Sequence, residues 1–479
     1  MMAHSQPRVA LIDPLAVIDG REVLFLRDNF GGEVPLSCAY PPLELAFTAS
    51  LLRENGVEVD LIAANVLGLR HETVVERLVQ WQPNVVLFPS AWGSLLDDFH
   101  FLRLLRAGLP KATLMICGPN VTAEPARVFT DSPVDVVVLG EPEEAALLIA
   151  QGTNLADVPN IAYREGEGFS TTKRRPPPQW ESYPLPARDL LDLSLYTVPF
   201  SRRLPATTIA TTRGCVHRCT FCPTQIWNGG RVRARPVALV LEEIDELVQR
   251  FGIRELAFRD DTFTGERQRV VDICEGLLAR GHDLTWRCFA TVSTVDPELL
   301  HLMAAAGCTQ LCFGFESGDD GVLKKTGKGT TVAQGRQAVA WARDAGLEIS
   351  GTFMVGLEGA TADSVERSIT FAIDNDLDYV QVNVAVAMPG TGFGKRKKKK
   401  GLESRPELFR WEGRATGGNE AVDAEDMPRL ARRFYRKFYL RPRYVAGRLR
   451  SRRSISSLAS HAHLGMRMAR YVAAGLINR

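Results

Sequence analysis

The stretch Arg213-Gly214-Cys215-Val216-His217-Arg218-Cys219-Thr220-Phe221-Cys222-Pro223 decides how this chain is read. Its three cysteines stand at spacings of four and three, just after a β-branched run, residues 207–211, that reads as a strand. A loop of that length can turn three thiolates toward one face of an iron–sulfur cubane, and thiolates also suit zinc. A structural zinc site takes four protein ligands, and His217 is the one nearby candidate for the fourth. Three cysteines on a [4Fe-4S] cluster instead leave one iron open to a substrate or cofactor. His217 then shapes the loop rather than binding metal. Cys38, Cys117, Cys274, Cys288, Cys308 and Cys312 have no metal-ligand spacing; Cys288 and Cys312 read as small core residues.

Outward from this loop, strand and helix patterns alternate. Strands are expected at 207–211, 255–259, 285–290, 310–315, 348–355 and 379–387. Helices are expected at 237–251, 267–280, 297–306, 331–345 and 361–375. About six βα units in this length fit a partial or complete parallel barrel. Upstream, strands at 9–12, 57–62, 84–88, 113–117 and 134–139 alternate with helices at 43–55, 71–81, 97–107 and 125–130, which implies an open parallel sheet. Ligands on such sheets sit beyond the carboxyl ends of the strands. Those ends carry Asp13-Pro14, Pro89-Ser90-Ala91-Trp92, Gly118-Pro119-Asn120-Val121 and Gly140-Glu141-Pro142-Glu143. Residues 151–200 read as a connector; Arg174-Arg175-Pro176-Pro177-Pro178 cannot lie inside a helix. The run Lys395-Arg396-Lys397-Lys398-Lys399-Lys400 reads as a mobile, solvated loop, since adjacent like charges repel.

The chain has 479 residues, 45% hydrophobic, 24% charged and 8% aromatic. At roughly 150 residues per domain that suggests two or three domains. It excludes a mainly disordered, collagen-like or disulfide-scaffold protein. No apolar run approaches the ~20 residues of a membrane span, and the polar start lacks a signal peptide's apolar segment. A cytoplasmic protein with free or metal-bound thiols is expected. The net charge of +2 hides an asymmetry: residues 427–479 carry fourteen basic groups and no acidic one. Their arginines stand among Phe434, Tyr435, Phe438, Tyr439, Leu449, Leu464, Met468 and Tyr471. Two readings of this tail are open. Its aromatics pack on the barrel, the preferred reading, or they form an amphipathic surface for peripheral contact with anionic lipid.

The cysteine spacing resembles the CxxxCxxC motif of the radical S-adenosylmethionine superfamily, and the resemblance runs over about residues 206–391. It implies a partial (β/α)6 barrel and a [4Fe-4S] cluster on Cys215, Cys219 and Cys222. The open iron would chelate S-adenosylmethionine, whose reductive cleavage gives a 5′-deoxyadenosyl radical that abstracts hydrogen from an unreactive C–H bond. The resemblance also places S-adenosylmethionine contacts. They are Phe221 beside the adenine, Asp260 and Asp261 for the amino group, Arg287 for the carboxylate, Glu316 and Ser317 for the ribose, and Gly356 on the adenine side. Arg259-Asp260-Asp261 departs from the Gly-Gly-Glu that is common there.

Four stretches resemble the cobalamin-binding domain that precedes the barrel in one large subgroup, with its connector: Pro41-Pro42-Leu43-Glu44-Leu45-Ala46, Cys117-Gly118-Pro119-Asn120-Val121, residues 135–143, and the connector Pro186-Ala187-Arg188-Asp189-Leu190-Leu191. The similarity is to anaerobic Mg-protoporphyrin cyclase-like and methyltransferase-like members. It implies cobalamin contacts from Asp13, Ser90, Ala91, Trp92, Gly118, Pro119, Asn120, Val121, Gly140 and Glu141. No Asp-x-His-x-x-Gly stands in the sequence, so a base-off cofactor without a histidine on cobalt is expected. A flavodoxin-like domain that has lost the cofactor is the alternative.

The expected fold class is therefore α/β. A Rossmann-like open parallel sheet of cobalamin-binding type spans residues 1–150 and a connector 151–200. A partial (β/α)6 radical S-adenosylmethionine barrel spans 201–395, and a basic, mostly helical region 396–479. The expected function is methylation of an unactivated carbon of a small-molecule or lipid-like substrate, with an external electron donor of flavodoxin or ferredoxin type. Cyclisation or rearrangement without methyl transfer is the alternative on the same scaffold. RNA modification is a further one, disfavoured because the second cysteine set usual in methylthiotransferases is missing. An iron–sulfur electron-transfer or regulatory protein is the rival from another class.

Overall fold

Runs such as Val9-Ala10-Leu11-Ile12 and Val85-Val86-Leu87-Phe88 are apolar at every position, which suits strands covered on both faces. In a computed structural model they are buried strands: β1 (Arg8–Ile12) and, after β2 (Glu58–Ile62), β3 (Val85–Pro89). The structure describes residues 6–18, 20–26, 32–33, 39–176, 180, 183–198, 201–401, 422–423 and 426–450. The sheet continues through β4 (Thr113–Cys117) and β5 (Val136–Val138), all parallel so far. It ends in an antiparallel hairpin, β6 (Ile161–Glu165) and β7 (Gly168–Thr171), giving the order β7-β6-β5-β4-β3-β1-β2. The hairpin lies in the stretch read as connector. Its polar, Gly-containing sequence lacks the apolar run that marks a buried strand.

Helices Leu43–Glu54, His71–Trp81, Leu95–Gly108 and Pro125–Asp131 stand where their periodicity predicts. Helices Pro119–Ala123 and Glu143–Ala150 are additional. Both start directly beyond a strand end, where a sequence reading sees only a loop.

The chain divides into two compact units. The first holds the described residues up to Thr197, with Pro223–Ala234 and Met388–Thr391. The second holds Val198–Cys222, Arg235–Ala387 and the described residues from Gly392 onward. It is a curled sheet of six parallel strands in sequential order: β8 (Ala206–Ile209), β9 (Glu255–Phe258), β10 (Thr285–Ala290), β11 (Cys308–Glu316), β12 (Glu348–Val355) and β13 (Tyr379–Val384). Among the described residues β8 and β13 do not pair, so the barrel is partial. Side chains alternate strictly along β10 and β12 between the fully buried outer face and a partly accessible interior. Trp286, Phe258 and Phe263 form the aromatic contact between sheet and helices on the β9–β10 side.

The open edge at β13 is closed by the tail. Helix Asp426–Tyr439 buries Met427, Phe434, Tyr435 and Phe438 on the barrel, with Phe434 5.0 Å from Phe353. The Tyr435 hydroxyl accepts from the Val382 N–H at 2.8 Å, and that of Tyr439 accepts from the Val380 N–H at 3.0 Å. Two tyrosines thus pair with backbone groups of an edge strand. Arg433 and Lys437 meet Glu366. The apolar face of this helix is therefore spent on the barrel, which removes it as a lipid-binding surface; Leu464, Met468 and Tyr471 lie outside the described residues. Tyr435→Phe is expected to cost about 1–2 kcal/mol in denaturant unfolding, since a buried strand N–H loses its acceptor.

The lysine run is also not a loop. Helix Gly392–Lys399 turns Phe393 and Lys397 inward, with the Lys397 ammonium 5.7 Å from the Phe393 ring centroid. Arg396 makes a two-pronged pair with Glu358, at 3.0 and 2.5 Å. Tertiary contacts and one buried lysine stem offset the repulsion on which the loop expectation rested. No described helix is long and apolar enough to cross a membrane.

Candidate functional site

The thiol-bearing loop of the second unit is held from several sides. Asp260, just past the end of β9 and almost fully buried, accepts the Thr211 N–H at 2.6 Å and also the Thr211 hydroxyl. Buried Arg269 donates to the Thr211 carbonyl at 3.1 Å. Asp261 accepts the Gly214 N–H at 3.1 Å, at a glycine whose φ of +90° few other residues adopt. Thr220 donates its N–H to the Thr326 carbonyl at 2.8 Å, and its own carbonyl accepts the Phe393 N–H at 2.7 Å. Cys222 N–H bonds the Cys219 carbonyl at 3.1 Å, closing a tight backbone turn between the last two cysteines.

Cys215, Cys219 and Cys222 are all partly buried. Burial raises the thiol pKa of Cys215, and pushes that of Cys219 up to about 11. The Lys328 ammonium lies within electrostatic reach of all three thiols. Burial opposes its charge, but Glu316 at 2.9 Å and the thiols hold its pKa above the usual lysine value. Three cysteines within eight positions, on a loop clamped at both ends, are the donor set of a cluster with an open iron.

Glu316 sits at the end of β11, past a register shift, with φ +64°. Such a conformation costs on the order of 1–3 kcal/mol in a non-glycine residue. Gly314 makes room for it: a Cβ there would stand 2.6 Å from the Glu316 carboxylate and 2.7 Å from the Lys328 amine. Ser317 is buried and its hydroxyl accepts the Asp319 N–H at 3.2 Å, a turn contact. Phe221 packs on an apolar patch with Val322, Leu357, Ala360 and Phe393. Arg287 points to the barrel interior, where it and Arg259 flank Cys312, and Arg259 lies 5.7 Å from the Phe289 ring centroid.

Two expected contacts have other occupations here. The Asp260 carboxylate faces Thr211, not an open site. Gly356, with φ +86°, gives its missing Cβ's space to Met427, 2.5 Å away. Lys328 escaped the sequence reading. Its signal was Gly327-Lys328-Gly329, a lysine between two positive-φ glycines twelve residues beyond Glu316.

In the first unit the strand ends carry a buried polar network. Asp98 accepts from the Ser90 hydroxyl at 2.6 Å and the Ser94 hydroxyl at 2.7 Å, and Asn120 donates to Ser90 at 2.8 Å. The Asn120 carbonyl oxygen and the Trp92 indole N–H are buried without a hydrogen-bond partner among the described residues. Buried groups of this kind are rarely left unpaired. One orphan acceptor and one orphan donor suit a ligand bearing primary amides, as a corrin does. Gly118, at φ +136°, lies so close to the Ser90 carbonyl that no Cβ would fit. Ala91 and Val121 are fully buried and Pro119 is buried beside them. Gly140 donates its N–H to Thr122 at 3.1 Å, and Glu141 is ion-paired with Arg233. Asp13, at the end of β1, is buried, and its backbone bonds Ile62 and Asn65. His71 is held by Asp97 at 3.0 Å and stacked on Phe101. Asp98 was not foreseen as the anchor of this network, because a buried carboxylate on a helix has no sequence signature.

Comparison with known proteins matches both halves of the chain to known domains. The B12 binding domain model matches residues 37–150, and the radical SAM superfamily model matches residues 209–372. An uncharacterized methyltransferase of Pyrococcus horikoshii is 29% identical over 418 residues, 85% of this chain and 89% of the relative. The anaerobic magnesium-protoporphyrin IX monomethyl ester cyclase of Cereibacter sphaeroides is 26% identical over 385 residues, 77% of this chain and 62% of the relative. The cobalamin-dependent S-adenosylmethionine radical enzyme OxsB, solved with aqua-cobalamin and S-adenosylmethionine bound, shares the fold at a TM-score of 0.75. That likeness covers 98% of this chain and 72% of OxsB at 19% identity. With a B12 binding domain matched ahead of a radical SAM domain that carries the three-cysteine loop, this chain has the domain make-up of a cobalamin-dependent radical S-adenosylmethionine enzyme.

Proposed function

We propose that the chain methylates an unactivated carbon of a small-molecule or lipid-like substrate. The observation that supports the reading most is the loop of three partly buried thiols around the Lys328 ammonium, in a chain whose first unit also offers an orphan donor and acceptor to an amide-rich cofactor. Similarity to a relative named a methyltransferase over 89% of that relative's length favours methyl transfer. Similarity to the cyclase keeps ring closure as the second reading.

In this proposal Cys215, Cys219 and Cys222 hold the cluster. Lys328 and Arg287 face the carboxylate of S-adenosylmethionine, Glu316 and Ser317 its ribose, and Phe221 its adenine. Asp260 and Asp261 act on the loop rather than on the cosubstrate. Ser90, Trp92, Gly118 and Asn120 line the corrin, with Asp98 fixing the Ser90 rotamer. When bound, the cluster and S-adenosylmethionine supply a hydrogen-abstracting radical, and cobalamin supplies a transferable methyl group. The electron enters from an external donor of flavodoxin or ferredoxin type.

Anaerobic incubation with substrate separates the readings. Methyl transfer is expected to give S-adenosylhomocysteine together with 5′-deoxyadenosine; 5′-deoxyadenosine alone would turn the reading to cyclisation. For cobalamin, a Co(II) electron paramagnetic resonance spectrum without nitrogen superhyperfine splitting is expected, because the sequence has no Asp-x-His-x-x-Gly to put a histidine on cobalt. Nitrogen splitting would contradict the base-off form, since it requires a nitrogen, from a histidine or from the cofactor's own base, on cobalt.

A further inference from the structure

We infer that the exposed basic face around the cysteine loop is the docking surface for an acidic, small one-electron carrier protein of the flavodoxin type; this rests on the radical S-adenosylmethionine reading above. Helix Gly392–Lys399 places Lys395, Lys398 and Lys399 at i, i+3 and i+4, on one exposed face opposite Phe393 and Lys397. The start of this helix is bonded to the loop itself, Phe393 N–H to the Thr220 carbonyl, between Cys219 and Cys222. On the other side of the loop, Thr220 N–H bonds Thr326, at the end of helix Asp320–Thr326, whose Lys324 and Lys325 are exposed. Gly327 lies against the Arg218 carbonyl, with Arg218 exposed on the loop. Lys325 and Arg396 meet at one segment, through Gly359 and Glu358.

Six exposed cations thus stand on the loop and on the two helices bonded to it, and Val216 on the loop is 63% exposed. An apolar spot inside a charged rim is the make-up of a transient protein interface. A surface of one sign raises encounter rates with an oppositely charged partner by about 10–1,000-fold, an effect that salt suppresses. The position selects the partner. Electron transfer falls steeply with distance, and this surface is the skin of the loop that carries the thiols. One electron leaves the donor's fully reduced flavin, which is oxidised by one equivalent, and the cluster is reduced from its 2+ to its 1+ state. No atom crosses the interface. RNA or anionic lipid could meet the same charges, but neither explains why they ring the cysteine loop.

The test compares wild type with K395E/K398E/K399E and the neutral K395Q/K398Q/K399Q. Each reconstituted protein is driven once by reduced flavodoxin and once by dithionite. The ratio of the two rates of 5′-deoxyadenosine formation is expected to fall by about tenfold in the charge-reversed variant at low salt, with its salt dependence flattened. The neutral variant is expected to lie between. Because the ratio cancels any general damage to the cluster, a poorly loaded variant still decides. Flavodoxin affinity, measured without turnover, is expected to weaken in parallel. An unchanged ratio and unchanged affinity would overturn the inference. So would retained flavodoxin binding with lost binding to single-stranded RNA or anionic vesicles. If wild type gives no cleavage even with dithionite, the proposed function fails, while the affinity measurement still judges the docking surface.

Discussion

Replacing Cys215, Cys219 and Cys222 together by alanine is expected to remove bound iron and sulfide completely and to abolish 5′-deoxyadenosine formation. Wild type reconstituted without oxygen is expected to hold about four irons and four sulfides. The effect is all-or-none because the remaining cysteines cannot substitute. Cys288 and Cys308 are buried, and Cys312 faces the barrel interior among Arg259, Arg287 and Glu316. Among the described residues no group of three or more His, Cys, Asp and Glu side chains, the three loop cysteines included, is already gathered as a metal site, so no preformed second site competes for the cluster. The variant is also expected to fold, since the loop is held by backbone contacts at Thr211, Gly214 and Thr220 rather than by the sulfurs. Iron content and circular dichroism check the two halves. Wild-type iron in the triple variant would sink the cluster assignment.

Asp260→Ala is expected to destabilise the second unit by about 3 kcal/mol and to lower iron content after reconstitution. The carboxylate accepts from the Thr211 N–H and hydroxyl in a fully buried place beside Arg269. Truncation leaves those donors and part of a buried guanidinium charge uncompensated, the costly way to break such a network. Burial dominates the carboxyl itself and raises its pKa above the usual range despite the hydrogen bonds. The folded state therefore holds the proton more tightly than the unfolded chain does. This group's contribution to stability is full below the ordinary carboxylate range and declines as pH rises through the raised value. Asp260→Asn keeps one acceptor oxygen and no charge, so it is expected to recover part of the loss. Denaturant unfolding with iron analysis reads both variants. An alanine variant within the error of wild type, with full iron, would show that Asp260 does not position the loop.

These two predictions differ in what they owe to the sequence. The cysteines were legible because metal ligation on a loop is local: three residues within eight positions carry it, whatever the rest of the chain does. Helices such as Arg267–Arg280 and strands such as β10 and β12 were legible for a related reason, since a long apolar period imposes itself before packing does. The six sequential parallel strands, and the strand ends that hold Ser90 and Asn120, follow from that pattern.

Tertiary structure decided where side chains go once those elements meet. Asp260 and Asp261 look alike in sequence, as acidic groups at a strand end. Burial against Thr211 and the approach of Gly214 turn both to the loop. Lys328 becomes part of the site only because it comes to lie against Gly314 and Glu316 takes a left-handed backbone, and neither the approach nor that conformation can be read from a window of sequence. The hairpin β6–β7 has no apolar run; it forms because the edge of β5 needs a partner. The lysine run shows the same limit. Its charges predict a loop when taken alone, yet Phe393, a carbonyl of the cysteine loop and Glu358 supply a surface on which it is helical. Sequence fixes what is periodic or covalently near. Which polar groups satisfy one another across the fold depends on distances that exist only after the chain has closed on itself.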